Sequence, residues 1–299
     1  MRKGADHTRH STRLFFMVAR AARTAVVFRR GPAKQVQMLR WDLASDVVTA
    51  GQWLSGRLYN ERCDISPDGR LVVYFAGKFK PAMDTFTAVC RPPYFTALAL
   101  WPDSGTWGGG GFFVRDRLLI LNYGHIGELN DGAGIPADFE VGSVTEYRAR
   151  HPEGERLAES RGWRLVARGV DGERTREMWA FAEPWVHERP SPLQAALVLE
   201  RRWLGMFEMN GPSSVYSYRL VDRSRRTRAG EPVCEELGRL DWADWDHDGS
   251  LLLGNDGCLL RRQMLASLAG VQAPMTVVAD LRAHVFKNVA PPDAARVWP

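Results

Sequence analysis

No stretch of this sequence approaches the 18 or more apolar residues that would cross a bilayer as a helix. Cysteine is sparse: Cys63, Cys90, Cys234 and Cys258 lie far apart and form no C-x-x-C pair. That spacing excludes a short-motif zinc site and a disulfide framework, and it fits a reducing, cytoplasmic compartment. There is no G-x-S-x-G elbow, Walker loop, H-E-x-x-H pair or dinucleotide fingerprint. Amphipathic helical patterns are scarce too. The best is Leu260–Ala269, with apolar residues at 260, 264, 265 and 268 and Gly270 as a C-cap.

What remains is strand and turn. The 299 residues are 45% hydrophobic and 25% charged, ordinary values for a globular chain. The 28 Gly and 17 Pro are spread along the length, as frequent turns between short elements require. Strand-length runs recur at 13–20, 24–29, 36–41, 71–75, 85–90, 112–121, 163–166, 194–200, 214–221, 251–253 and 275–279. Residues 14–28 follow a basic tail, but Arg20 and Arg23 interrupt them, so they read as a first β-hairpin and not as a targeting signal. Eleven Trp suit gaps between sheets, or stacking platforms for a ligand. The net charge of +5 is concentrated in the tail of residues 1–12, expected to be disordered, and in the run Arg223, Arg225, Arg226, Arg228. A general nucleic-acid binder would more often carry a continuous basic face.

An internal repeat narrows the architecture. Leu39-Arg-Trp-Asp-Leu-Ala-Ser45 is followed by Asp64-Ile-Ser-Pro-Asp-Gly-Arg-Leu-Val-Val-Tyr74. Arg219-Leu-Val-Asp-Arg-Ser-Arg225 is followed by Asp244-Trp-Asp-His-Asp-Gly-Ser-Leu-Leu-Leu-Gly254. The two copies lie 180 residues apart, four periods of 45, and a four-stranded propeller blade has a period near 40–45. Ser66-Pro67-Asp68-Gly69-Arg70-Leu71-Val72-Val73-Tyr74 resembles the blade signature of TolB-type and WD40 β-propellers. Trp41-Asp42-Leu43-Ala44-Ser45 is similar to the Trp-Asp dipeptide and turn of a WD40 blade. The resemblance implies an all-β fold: one β-propeller over residues 13–299, with about six blades of four antiparallel strands, five or seven being the alternatives. Residues 103–111 and 160–163 read as degenerate turns of intervening blades. In the signature itself, Asp68-Gly69 makes a tight turn, and 71–74 becomes a central strand buried on both faces.

Several residues offer chemistry beside a structural use. Asp244, Asp246 and Asp248 spell D-x-D-x-D-G, the opening of a calcium loop, although the twelfth position is Asn255 and not Glu. The repeat explains the same residues as a blade turn. His125 and Glu128, in a Gly-rich loop, could act as an acid/base pair or as metal ligands. Glu183, His187 and Glu188 form a similar cluster between prolines. Gly108–Gly111 permits close backbone or ligand approach, or a hairpin or bulge. The reading that follows is a non-enzymatic scaffold presenting loops to a protein partner, without cofactor. A second reading is a propeller hydrolase or lyase with axial carboxylates at the equivalent positions Asp64 and Asp244, with or without calcium. A third is nucleic-acid contact through the basic segments.

Overall fold

The computed structural model describes residues 12–31, 35–80, 83–123, 134–150, 161–175, 178–207, 214–264, 268 and 273–299. The fold is all-β, with several antiparallel sheets, none closed on itself among the described residues. No described helix is long and apolar enough to cross a membrane. The chain divides into two compact units: residues 1–154, 256–258 and 280–299, and residues 155–255 and 259–279.

The first unit carries three sheets. β1 (Arg13–Val18), β2 (Thr24–Arg30), β3 (Gln35–Asp42) and β4 (Val48–Ser55) form an antiparallel meander in sequence order. Residues 14–28 are thus the expected hairpin, with Arg13 opposite Arg30 and Val18 opposite Ala25. In the second sheet β5 (Arg57–Leu58) and β6 (Asp64–Ile65) both pair with β7 (Val72–Lys80), followed by β8 (Met83–Cys90) and β9 (Ala97–Asp103). Residues 71–76 are buried without interruption, as a strand with neighbours on both sides and packing on both faces requires. The third sheet contains β10 (Gly111–Arg115), β11 (Leu118–Leu121) and β12 (Glu140–Ser143), with β12 parallel to β11. The run expected as one strand at 112–121 is therefore a hairpin. Its polar centre, Asp116-Arg117, forms the turn, and Asp116 accepts the Asp68 amide at 2.8 Å. Leu71, Val73, Val89, Leu98 and Trp101 of the second sheet pack on Phe113, Leu119, Leu121 and Phe139.

The second unit begins with β13 (Arg164–Ala167) and β14 (Val170–Arg174), both pairing with β15 (Met178–Pro190). β16 (Leu197–Phe207), β17 (Val215–Arg226) and β18 (Pro232–Arg239) continue that sheet in sequence order. A further sheet runs β19 (Trp242–Trp245), β20 (Leu251–Asn255), β21 (Cys258–Arg262) and β22 (Thr276–Asp280). β21 corrects the expected helix at 260–269. Arg261 and Arg262 are both buried, the first against Asp246 at 2.6 Å and the second against Glu235 at 2.6 and 3.0 Å. Pairing with carboxylates on opposite faces imposes period two where apolar spacing alone suggested 3.6. Residues 265–267 and 269–270 of that segment lie outside the described residues.

The repeat survives as local geometry. The Gly69 amide donates to the Ser66 carbonyl at 2.9 Å, and the Gly249 amide to Asp246 at 3.0 Å. Arg70 and Ser250 each donate an amide to the Asp two residues back, at 3.0 and 2.9 Å. Both glycines have positive φ, 74° and 77°. Upstream, Asp42 accepts the Ala44 and Ser45 amides at 2.9 and 3.1 Å, which hold its carboxyl below the ordinary range. Asp222 accepts the Ser224 amide at 3.0 Å in the same manner.

A C-terminal segment, 281–299, lies along the first unit. Buried Arg29 donates from Nε to the Leu281 carbonyl at 3.0 Å and from Nη2 to that of Arg282 at 3.2 Å. It also donates to Thr12 Oγ1 at 3.2 Å, which fixes the last residue of the expected tail; residues 1–11 lie outside the described set. Gln52 donates to the Val289 carbonyl at 2.9 Å, His284 Nδ1 meets Gln37 Oε1 at 2.7 Å, and Trp298 packs on Phe139 at 4.7 Å.

Two outcomes are expected. A Cβ at Gly69 would meet Thr24 Cγ2 at 2.1 Å, whereas one at Gly249 meets the flexible Leu193 side chain at 3.1 Å. Left-handed strain of about 1–2 kcal/mol applies to both, and overpacking of about 1–3 kcal/mol falls on the first alone. Urea titration should rank wild type above Gly249→Ala above Gly69→Ala; the reverse order of the variants would contradict the turn geometry. Burial, with Arg29 and Lys287 nearby, lowers the His284 pKa, so the folded state favours the neutral ring. The unfolded chain then binds more protons just below about pH 6.5, and stability falls as pH drops through that value. Melting temperature should fall less between pH 7.5 and 5.5 in His284→Gln than in wild type; equal slopes would refute this.

Candidate functional site

The two repeat-equivalent aspartates lie in separate units, and each is used within its own. Asp64, buried on β6, accepts the Phe113 amide at 2.8 Å. Phe113 stands on β10, an edge strand, and its carbonyl accepts the Arg20 guanidinium at 2.5 Å. Side chains from the first two sheets thus cap both polar groups of this residue. Asp244, buried on β19, pairs with Arg189 and accepts the Trp245 amide at 2.8 Å. Burial raises its carboxyl above the ordinary range, and the Arg189 charge opposes that shift.

Asp246 and Asp248 point elsewhere. Asp246 accepts Arg261 at 2.6 Å, while Asp248 Oδ2 stands 3.8 Å from the same guanidinium. Among the described residues no group of three or more His, Cys, Asp or Glu is placed to hold a metal ion. His125 and Glu128 lie outside the described residues. Glu183, His187 and Glu188 share β15 but do not converge: Glu188 pairs with Arg164 at 3.2 Å and with Arg223, while His187 is aligned with Arg201 on the next strand. The arginine run ends β17 and rounds an exposed hairpin tip, where Arg226 donates to the Arg223 carbonyl at 2.9 Å.

The glycine run is threaded through a narrow space. A Cβ on Gly109 would meet the Phe75 ring at 2.1 Å, and one on Gly110 the Arg62 carbonyl at 2.1 Å. Arg62 donates to the Thr106 carbonyl at 2.6 Å and to that of Gly108, and its guanidinium carbon lies 5.4 Å from the Phe75 ring centre. Gly110 donates to Thr87 Oγ1 at 2.7 Å, which meets the Tyr123 hydroxyl at 2.7 Å. Burial pushes the Tyr123 pKa up to about 12, so the hydroxyl keeps its proton. With the glycines pinned, Trp107 is left 95% exposed. Phe79, at φ 50° and 55% exposed, projects from the same end of the second sheet, since Gly77, Thr85 and Asp103 form the adjoining cross-strand row.

A third constellation escaped the sequence. On the first sheet of the second unit, His187, Arg201 and Tyr218 stand in one cross-strand row. Next to it is the row Arg189, Leu199, Leu220, and on the other side Trp185, Trp203, Tyr216. Leu199, Tyr218 and Leu220 belong to the core built with Trp245, Leu251 and Leu253, so Arg201 occupies a core-facing position. Only 7% of it is exposed. Its guanidinium carbon lies 4.5 Å from the ring centre of Trp163, 5.0 Å from Trp242 and 5.2 Å from Tyr216. The one trace in the sequence is the Trp load; the strand-length run at 194–200 stops at Glu200, one residue before the arginine. A guanidinium packed on aromatic faces keeps its in-plane N–H groups for planar acceptors such as carboxylate or phosphate.

No family model matches the chain, and no curated protein does. Among solved structures, a chain of the mitotic checkpoint complex aligns over 96% of this chain and 87% of its own, at 12% identity and a TM-score of 0.30. Prolyl oligopeptidase B from Galerina marginata aligns over 90% of this chain but 44% of its own, at 12% identity and a TM-score of 0.27. Likeness this slight defines neither the fold nor the activity of the chain.

The two aspartates should respond differently to substitution. Asp244→Ala leaves Arg189 largely buried without a counter-charge and should cost about 3 kcal/mol or more. Asp64→Asn retains an acceptor for the Phe113 amide and should cost about 1 kcal/mol. Equilibrium unfolding checks this, and an Asp244→Ala variant within 1 kcal/mol of wild type would overturn the assignment of the pair.

Proposed function

We propose that the chain is a β-propeller-type, non-enzymatic binding protein that presents loops to a protein partner. Sheets built from strands near in sequence, most of them antiparallel, and the duplicated Asp-Gly turn support the propeller reading. The repeat length suggests about six blades, and the five described sheets favour five or six over seven.

The observation that carries the binding role is Trp107. A tryptophan almost wholly exposed, on a segment anchored by Arg62 and at the same end of the second sheet as exposed Phe79, has the composition of an interaction hot spot. An anchored loop loses little freedom on binding, which favours affinity.

The test is retention of a partner on the immobilised protein through a moderate-salt wash, with Trp107→Ala and Phe79→Ser run in parallel. Wild type should hold a stoichiometric protein, and each variant should weaken retention about thirtyfold, the effect of a residue worth about 2 kcal/mol. Melting temperatures should stay unchanged, because exposed side chains contribute little to stability. Equal retention by wild type and both variants would refute the site, and an empty wild-type capture would refute the scaffold role.

A further inference from the structure

A buried arginine is normally matched by a carboxylate, and exceptions need an explanation. Arg201 has no ion pair among the described residues; the nearby Asp244 carboxylate is already held by Arg189. Its Nε is buried without a hydrogen-bond partner. The Trp163 indole Nε1 shares that condition, and the Tyr218 hydroxyl, which has the Ala243 backbone beside it, finds no acceptor for its own proton; both are fully buried. Tyr218 is the cross-strand neighbour of Arg201, and Trp163 is the ring closest to its guanidinium. The aromatic faces offset part of the cost of burying the charge. They offer nothing to the in-plane donors, whereas an apolar residue here would carry no such burden.

Exposure changes along this face of the sheet. Leu197 and Leu199 are buried, Arg201 nearly so, and Trp203 only in part; across the row Tyr218 is buried and Tyr216 half-buried. The guanidinium therefore lies where the core of the second unit gives way to solvent. The margin is aromatic: Trp185 and Trp203 are half-buried, and Phe181 packs edge-on to Trp203 at 4.9 Å. A buried charge whose Nε has no partner, beside half-buried flat rings, matches a ligand with both features.

We propose that the second unit binds a small organic anion, a carboxylate or phosphate carried on a flat apolar body, with Arg201 as the anchoring group. Arg201 presents its planar N–H edge to the anionic oxygens, the Trp163 N–H and Tyr218 O–H supply further donors, and Trp185 and Trp203 stack on the apolar body. Every residue involved lies in the second unit, so the site does not rest on the blade count or on the partner at Trp107.

Isothermal titration of the full chain with benzoate and phenyl phosphate, beside acetate and inorganic phosphate, tests it. At least one aromatic anion should bind with one-to-one saturation, at least tenfold more tightly than its non-aromatic counterpart, and the tighter of the two identifies the head group. Arg201→Met should abolish binding while keeping the fold, because it removes an unpaired buried charge and retains the stem. Trp163→Phe keeps the ring and loses one donor; it should weaken binding several-fold. Absence of saturable binding by all four probes to wild type would overturn the proposal, as would equal binding by a folded Arg201→Met. Should Arg201→Met fail to fold, undiminished binding by Trp163→Phe would overturn it instead.

Discussion

Burial on both faces is the constraint on which this molecule depends. A strand such as β7, apolar from Val72 to Ala76, can exist only with sheet neighbours on either side and side chains above and below. Its hydrogen bonds come from adjacent segments of the chain, hence the meanders. The edges of each meander are then themselves close to a core, where an unpaired amide or carbonyl is costly. The chain meets this with charged side chains. Asp64 and Arg20 take the two polar groups of Phe113 on an edge strand, and Arg29 takes the carbonyls of Leu281 and Arg282 in the turn after β22. Asp64, one of the carboxylates that the sequence offers for chemistry, is thus engaged by an edge-strand amide.

This explains what the sequence disclosed and what it withheld. Strand positions were legible because β-branched and aromatic runs, and turns such as Asp68-Gly69, are local properties. The equivalence of the two Asp-Gly turns held down to individual hydrogen bonds. Two features were misread for one reason: pairing is non-local. Residues 258–262 form a strand whose Arg261 and Arg262 pair with Asp246, just after β19, and with Glu235 on β18 of the other sheet. The run at 112–121 folds back at Asp116, which serves the Asp68 amide. Arg201 was invisible on the same account, since Trp163, Tyr216 and Trp242 meet it only after three strands have been aligned.

The two units solve the problem of buried charge differently. In the first, Arg29 and Arg62 donate to backbone carbonyls and act as ties. In the second, Arg189, Arg261 and Arg262 are matched by carboxylates, and Arg201 alone of these is surrounded by rings. The contrast separates arginines that hold the fold from one available to a ligand. Trp107 is the corresponding exception among apolar residues, exposed although the backbone after it is tightly fixed.

Side chains from a neighbouring sheet secure the edge strand β10, and the Phe113 amide reports on this most directly. Residue-resolved hydrogen exchange should show this edge-strand amide protected to the level of interior β7 amides, and deprotected in Asp64→Ala while β7 remains protected. Exchange of Phe113 in wild type as fast as that of a solvated edge amide would contradict the account.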